Sequence, residues 1–341
     1  MQHIVVSTPG AFLGKKSERL SIKKGDGADG GEVVDYVPLF RIEEITIASQ
    51  GVSLSSNLVE ECMKRGIKIS FLSKSGAPYG ILSSPFLTGT IKTRRSQFKA
   101  YDDARSVDLA KAIVGTKIFN QGALLRYFGK YIKKTDEALY EAISGLSDRL
   151  KSIEASISRL QGQKIEDLKN QIMGIEGEAA SSYWQGVSAI LGSEVFGKRE
   201  HRGATDPFNS SLNYGYGILY SRISSALLNA GLDLYAGFLH ADRSGKPSLV
   251  LDFIEEFRQP VVDRGVVSIF NKSKNSIKVK EGLLDDNSRK FLAARITANL
   301  ESEVDFKGQR ISLNSVIQKQ ARGIASFLRG DEKYTGYRFK W

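Results

Sequence analysis

Three residues far apart in the chain, Glu176, His240 and Glu255, carry side chains that could do chemistry together. Ile165, Leu168, Ile172, Ala179, Ala180, Tyr183 and Val187 fall on one side of a helix of 3.6 residues per turn, and Glu176 lands inside that stripe. A carboxylate aimed at a core is costly unless it is paired, protonated or bound to a metal. His240 ends a mostly apolar run, Leu234-Tyr-Ala-Gly-Phe-Leu-His240, and Asp252 and Glu255 sit among the hydrophobes that follow Leu249. Two or three carboxylates with one imidazole make an oxygen-rich ligand set suited to Mn²⁺ or Mg²⁺. On a helix Asp252 and Glu255, three residues apart, share a face and can serve one ion; in a strand they point to opposite faces. Plainer readings stand beside this one. His240 can be a hydrogen-bonded core histidine, Glu255 can lie on a solvated face, and Glu176 can turn outward if Gly174 and Gly177 break the helix.

The elements that must bring these residues together differ between the two parts of the chain. Residues 1–87 are rich in short β-branched or alternating runs, at 3–7, 32–36, 44–48 and 67–72, separated by Gly- and Ser-rich turns. Within them residues 55–65 read as one helix, capped by Ser55 or Ser56 and closed at Gly66. Residues 25–31 have neither the terminal Glu of a calcium loop nor the Gly-Lys-Ser/Thr of a P-loop, and read as a turn. A linker is expected where Pro, Gly and Thr cluster from Ser84 to Thr90, with the junction between the domains drawn at 88–96. From Gln97 to the end the spacing is helical. Ile143, Leu146, Leu150, Ile153, Ile157 and Leu160 form a heptad-like stripe of the kind a bundle helix buries. The expected fold class is α+β: a small N-terminal β domain joined by a short linker to a larger all-α C-terminal domain at 97–341.

Charge narrows the partners. Lys and Arg number 49 against 38 Asp and Glu, a net charge of +11 over 341 residues, which favours polyanions. Arg199, Arg202 and Arg222 stand near Tyr214, Tyr216 and Tyr220, and Lys92, Arg94, Arg95 and Lys99 open the helical part. Arginine beside tyrosine suits nucleic acid, holding phosphates while rings stack. The single Cys62 excludes a disulfide within the chain and a cysteine-rich zinc module. No apolar stretch reaches membrane-spanning length, so a soluble, cytoplasmic protein with no membrane partner is expected.

Taken in order, these blocks resemble the CRISPR-associated integrase and endonuclease of the spacer-adaptation machinery, the Cas-one family. The resemblance runs through Gly51-Val-Ser-Leu-Ser-Ser56 and Gly66-Ile-Lys-Ile-Ser-Phe71, then Arg94-Arg95-Ser-Gln97 and Ala110-Lys-Ala-Ile-Val-Gly-Thr-Lys117 with Asn120-Gln121. It continues through Gly174-Ile-Glu176-Gly-Glu-Ala-Ala180, Asp206-Pro-Phe-Asn209, Gly237-Phe-Leu-His240 and Asp252-Phe-Ile-Glu255-Glu-Phe-Arg258. It implies that Glu176, His240 and Glu255 are the metal ligands, with Asp252 auxiliary and Tyr220 close to the site; it passes over Glu178 and Glu256. It further implies a Mn²⁺ or Mg²⁺ cofactor and attack by a DNA 3′-hydroxyl on CRISPR repeat DNA. Double-stranded and branched DNA, a homodimer through the β domains, and a small second adaptation protein are the implied partners. Arg199, Arg202 and Arg222 are the candidate phosphate contacts, whose binding would weaken steeply with salt. Two rivals share these features: a metal-dependent nuclease of branched DNA in repair or recombination, and a catalytically inactive DNA-binding scaffold. The tail after Asp331 matches no strict pattern.

Overall fold

The structure is a computed structural model that describes residues 2–24, 32–85, 90–201, 203–240, 245–280 and 282–340. The turn at 25–31 therefore lies outside the described residues, as does Arg202. The N-terminal part holds two four-stranded sheets. In one, β2 (Phe12–Lys16) and β3 (Arg19–Lys24) form a hairpin extended by β4 (Glu32–Pro38), with β6 (Ser53–Leu54) parallel to β2 on the other side. In the other, β1 (Gln2–Val6), β5 (Ile42–Ile47) and β7 (Lys68–Leu72) run parallel, and β8 (Pro78–Leu82) closes the order β1-β5-β7-β8 antiparallel to β7. Helix α1 (Ser56–Lys64) is capped by Ser55, whose hydroxyl accepts from Leu58 N, and the chain turns at Gly66 with φ of 71°.

Alternation along the parallel strands gives that sheet two different faces. Ile45, Ile47 and Ile69 enter an apolar core with Leu13, Leu20 and Leu58. His3, Glu44, Thr46, Lys68 and Ser70 are buried on the sheet as well, a polar set that a solvent-facing sheet would leave wet.

The C-terminal part has its own core. Helices α2 (Thr90–Ala100), α3 (Ala104–Ile132), α4 (Glu137–Arg159) and α5 (Ile165–Leu191) come first, and the last three pack on one another as a bundle. Asp103 and Asp136 accept hydrogen bonds from first-turn amides of α3 and α4. The stripe on α4 buries Ile143, Leu150, Ile153 and Ile157, as its spacing predicts. Helix α6 (Pro207–Asn229), capped by Asp206 with Pro207 in its first turn, runs through the middle and is buried along most of its length. Then follow α7 (Ser248–Ile254), a π-helical segment Arg258–Asp263, α8 (Arg264–Lys272), α9 (Asp286–Glu301) and α10 (Leu313–Arg329).

The α+β class is as expected, and one boundary needs correction. The linker expected at 88–96 is helix from Thr90 onward. Its Lys and Arg residues are good helix formers, and the buried Gln97 that follows ties α2 down, donating from Nε2 to the carbonyls of Asp233 and Ala236 at 2.9 and 2.7 Å. The helical part also carries two short hairpins, β9 (Val279–Lys280) with β10 (Leu283–Leu284) and β11 (Glu303–Phe306) with β12 (Gln309–Ser312).

Candidate active site

Helix α5 runs unbroken through Gly174 and Gly177, so Glu176 keeps its helical direction. Its side chain is 15% exposed and meets Lys117 of α3, whose Nζ donates to Glu176 Oε1 at 2.5 Å. The same ammonium lies 2.7 Å from Oε2 of Glu255, the residue that ends α7, and Arg258 Nη2 approaches Glu255 Oε1 at 3.1 Å. Lys117 and Glu255 are 9% and 3% exposed, so both ions have left water and depend on one another. Burial alone would push the Glu255 carboxyl up; Arg258 and Lys117 more than reverse this and hold it at about 2. The two carboxylates likewise raise Lys117 against the opposing effect of its burial.

His240 follows the loop after α6 and is fixed by Asp252. Asp252 Oδ1 lies 2.6 Å from His240 Nδ1 and accepts from the His240 amide at 2.9 Å. Its Oδ2 accepts from the amides of Phe238 and Leu239 at 2.7 and 3.0 Å. A carboxylate on Nδ1 orients the ring and turns Nε2 into the nitrogen that could bind an ion. Asp252 and Glu255 therefore divide their tasks, although both come from one short helix: one braces the histidine, the other joins Glu176 and Lys117.

Arg258 is held from a second side. Its guanidinium lies 4.7 Å from the ring centre of Tyr216, and Arg199 covers the same ring at 5.5 Å. Tyr216 and Tyr183 donate to the buried Asp263 at 2.5 and 2.7 Å. Burial raises the Asp263 carboxyl, and it sits at the end of the π-helical segment that starts at Arg258. Such segments recur at functional sites because the extra residue re-aims side chains.

Beside these residues opens a cavity of about 450 Å³ whose lining includes Lys74, Arg199, His201, Tyr216, Tyr220 and Arg258. One wall is the turn between β7 and β8. There Gly76, with φ of 84°, presses on α6 so closely that a Cβ would fall 2.6 Å from Tyr214 Cα, and a Cβ on Gly217 would fall 1.8 Å from Gly76 O. Only a glycine pair permits that approach. Burial, then Arg199, Arg258 and Lys117, lower the pKa of His201. Tyr214 is core, whereas Tyr220 is partly buried, lines the cavity, and has its hydroxyl pushed up by burial to about 12.

Among the proposed DNA contacts, Arg199 lines the cavity and donates to Asn209 Oδ1 at 2.9 Å and Asn213 Oδ1 at 2.5 Å. Arg222 is corrected: it is fully buried, pairs with Glu43 at 3.0 Å and donates to the Asn314 carbonyl, so it joins the β sheet to α6 and α10 and meets no phosphate. Glu178 pairs with Arg149 on the surface. Glu256 points away from the site and accepts from Tyr334 Oη at 2.6 Å and from Tyr337 N at 3.0 Å.

The match to known proteins covers the chain. The family model described as CRISPR associated protein Cas1 matches residues 4–297. The chain belongs to the Cas1 family. It is 36% identical over 344 residues to a CRISPR-associated endonuclease Cas1 of Francisella tularensis subsp. novicida, covering 100% of both chains. It is 34% identical to one from Archaeoglobus fulgidus, covering 99% of each. In three dimensions it resembles a casposase bound to integration product, with TM-score 0.81 at 22% identity over 100% of this chain and 95% of the other. A Cas1 protein from Thermotoga maritima gives 0.76 at 20% identity over 99% and 100%. These likenesses establish the Cas1 fold, a β domain followed by a helical one.

The donor chemistry suits the divalent ion expected of this site. Two carboxylates from separate helices already share one cation, and the imidazole offers Nε2 with Nδ1 tied back. Among the described residues, however, no group of three or more His, Cys, Asp or Glu stands ready as a metal cluster. Glu176 and Glu255 converge on the Lys117 ammonium instead. Sequence reasoning missed Lys117 and Arg258 as parts of the site, although both lie inside the quoted blocks.

Proposed function

We propose that this chain is the metal-dependent endonuclease and integrase that inserts new spacers into a CRISPR array. The observation that carries the reading is the convergence of Glu176 and Glu255 on one cation, beside a cationic cavity and a histidine braced by Asp252. Glu176, His240 and Glu255 would hold Mn²⁺ or Mg²⁺, which supplies charge stabilisation at the phosphate under attack. Arg258 and Arg199 line the adjoining cavity and draw the DNA backbone toward the site. Asp252 keeps His240 in one tautomer. A DNA 3′-hydroxyl then displaces a 3′-oxygen of the repeat strand: one phosphodiester forms as another breaks, and the leaving oxygen takes the proton. With water as the nucleophile the same site hydrolyses DNA.

The names of relatives support the partners. One structural relative, with TM-score 0.78 at 19% identity, is a Cas6-RT-Cas1–Cas2 complex, and the casposase is bound to integration product. We therefore include double-stranded DNA and a small second adaptation protein as partners. The homodimer would form through the β domain, where β8 ends its sheet with Tyr79, Ile81 and Leu82 exposed.

The test is strand transfer with Mn²⁺, a labelled duplex with free 3′-hydroxyls and a supercoiled plasmid carrying a CRISPR repeat. Wild type is expected to give joined product, and Glu176→Ala and His240→Ala none, with DNA binding nearly unchanged. Equal joining by either variant would overturn the assignment; branch cleavage without joining would favour the repair nuclease.

A further inference from the structure

We propose that Lys117 is a built-in competitor of the divalent ion: its ammonium holds Glu176 and Glu255 together, and an ion engages both carboxylates only by displacing it. This rests on the metal-dependent reading above. The geometry is specific. Nζ stands 2.5 Å from one carboxylate and 2.7 Å from the other, in a pocket where Lys117 is 9% exposed. Arg258 reaches Glu255, so Lys117 is the cation that links the two helices α3 and α5 to the end of α7.

The backbone that carries Lys117 is fixed, so its displacement would have to come from the side chain. One turn on, Asn120 donates to the carbonyls of Glu256 and Tyr337, at 3.0 Å each, and accepts from Phe339 N at 2.9 Å. A Cβ on Gly336 would fall 2.1 Å from Thr116 Oγ1, which shows how closely the tail covers this turn. A lysine carries its charge on a flexible four-carbon stem, and an ammonium is a point charge that re-pairs without a fixed fork.

Formal charge argues the same way. Glu176, Glu255 and Asp252 against Lys117 and Arg258 leave the constellation one negative charge. A divalent ion makes it one positive, which a phosphodiester neutralises. The ion and the ammonium repel at this range, so both cannot sit between the same oxygens. Lys117 thus keeps the carboxylates paired and solvated by charge until the ion takes them, and the freed ammonium adds to the positive field met by DNA.

The experiment measures Mn²⁺ affinity of the full chain without DNA, by calorimetry and by loss of the free-ion electron paramagnetic resonance signal. Wild type, Lys117→Met, Lys117→Gln and Glu176→Gln are compared. Lys117→Met and Lys117→Gln are expected to bind Mn²⁺ at least fivefold more tightly and to gain more in melting temperature on adding it. Lys117→Gln keeps a hydrogen-bond donor and covers the case in which Lys117→Met does not fold. Affinity unchanged or weaker in the folded variants, with wild-type binding that needs Glu176, would overturn the competitor role and leave the metal site standing. Wild-type binding that ignores Glu176→Gln would overturn both.

Discussion

At the scale of single residues, the site is a set of charges that satisfy one another across long stretches of sequence. Asp252 is the clearest case, because one buried carboxylate accepts from three backbone amides and the His240 ring. Asp252→Asn puts an amide group against N–H donors and leaves at least one of them buried and unpaired. It is expected to lower stability by about 2–4 kcal/mol and strand joining by roughly 10- to 100-fold; urea unfolding and the Mn²⁺ assay measure the two losses. Glu176 was legible in the sequence because it interrupts an apolar stripe. Lys117 passes the same test, lying on the helix face of Ile113, Val114 and Leu124, and could have been found by it. What no periodicity conveys is that these two interruptions face each other across 59 residues. Arg222 misled for the converse reason: an arginine among tyrosines looks the same whether it meets a phosphate or a buried Glu43.

At the scale of elements, what repeats was readable and what pairs at a distance was not. The stripe on α4, the cap of α1 and four of the strands follow from spacing and from Ser, Gly and β-branched residues. The β2–β3 hairpin was missed: Phe12–Lys16 does not alternate, and Arg19–Lys24, which alternates over its first five residues, carries only two apolar side chains, Leu20 and Ile22; β4 and β6 flank the pair on either side. The tail after Asp331 had no sequence signal, yet it is a strap. Tyr334 and Tyr337 satisfy Glu256, next to Glu255, and Arg338 pairs with Glu154 at 2.6 Å and covers Phe119. Burial raises Glu256 to about 7, so the chain keeps a costly group there for the sake of this joint. Tyr334→Phe removes one bond to it and is expected to lower stability by about 1–3 kcal/mol. Truncation after Asp331 strips two of its partners and should abolish cooperative unfolding at the wild-type midpoint. Thermal unfolding that matched wild type in both would show that the tail is passive.

At the scale of the whole molecule, the two parts are joined by buried polar groups on one face of the parallel sheet. His3 Nε2 lies 2.7 Å from Thr46 Oγ1, Ser70 donates to Glu44 at 2.8 Å, Lys68 reaches Asn229 of α6, and Arg222 of α6 reaches Glu43. The turn at Gly76 belongs to the same joint, so the sheet's position on α6 sets one wall of the cavity. Burial drives two of these groups toward their neutral forms: His3 falls to about 3, and Glu44 rises from 4.5 to about 8 despite the nearby Arg222. The consequence for stability has a definite sign. Between about pH 4.5 and 8 the folded chain holds a proton on Glu44 that the unfolded chain has released, so this group's contribution declines as pH rises and is fully lost above about 8. Glu44→Gln keeps a carbonyl to accept from Ser70 and never ionises. Its stability should equal wild type near pH 4 and exceed it increasingly toward pH 8, by on the order of a few kcal/mol. His3 titrates in both proteins and cancels from the difference. Melting temperatures of the pair across that range decide the matter: a gap that widens with pH locates the joint's weakness at Glu44, while parallel curves would mean that Arg222 and Lys68 keep Glu44 ionised and the joint is an ion-paired one.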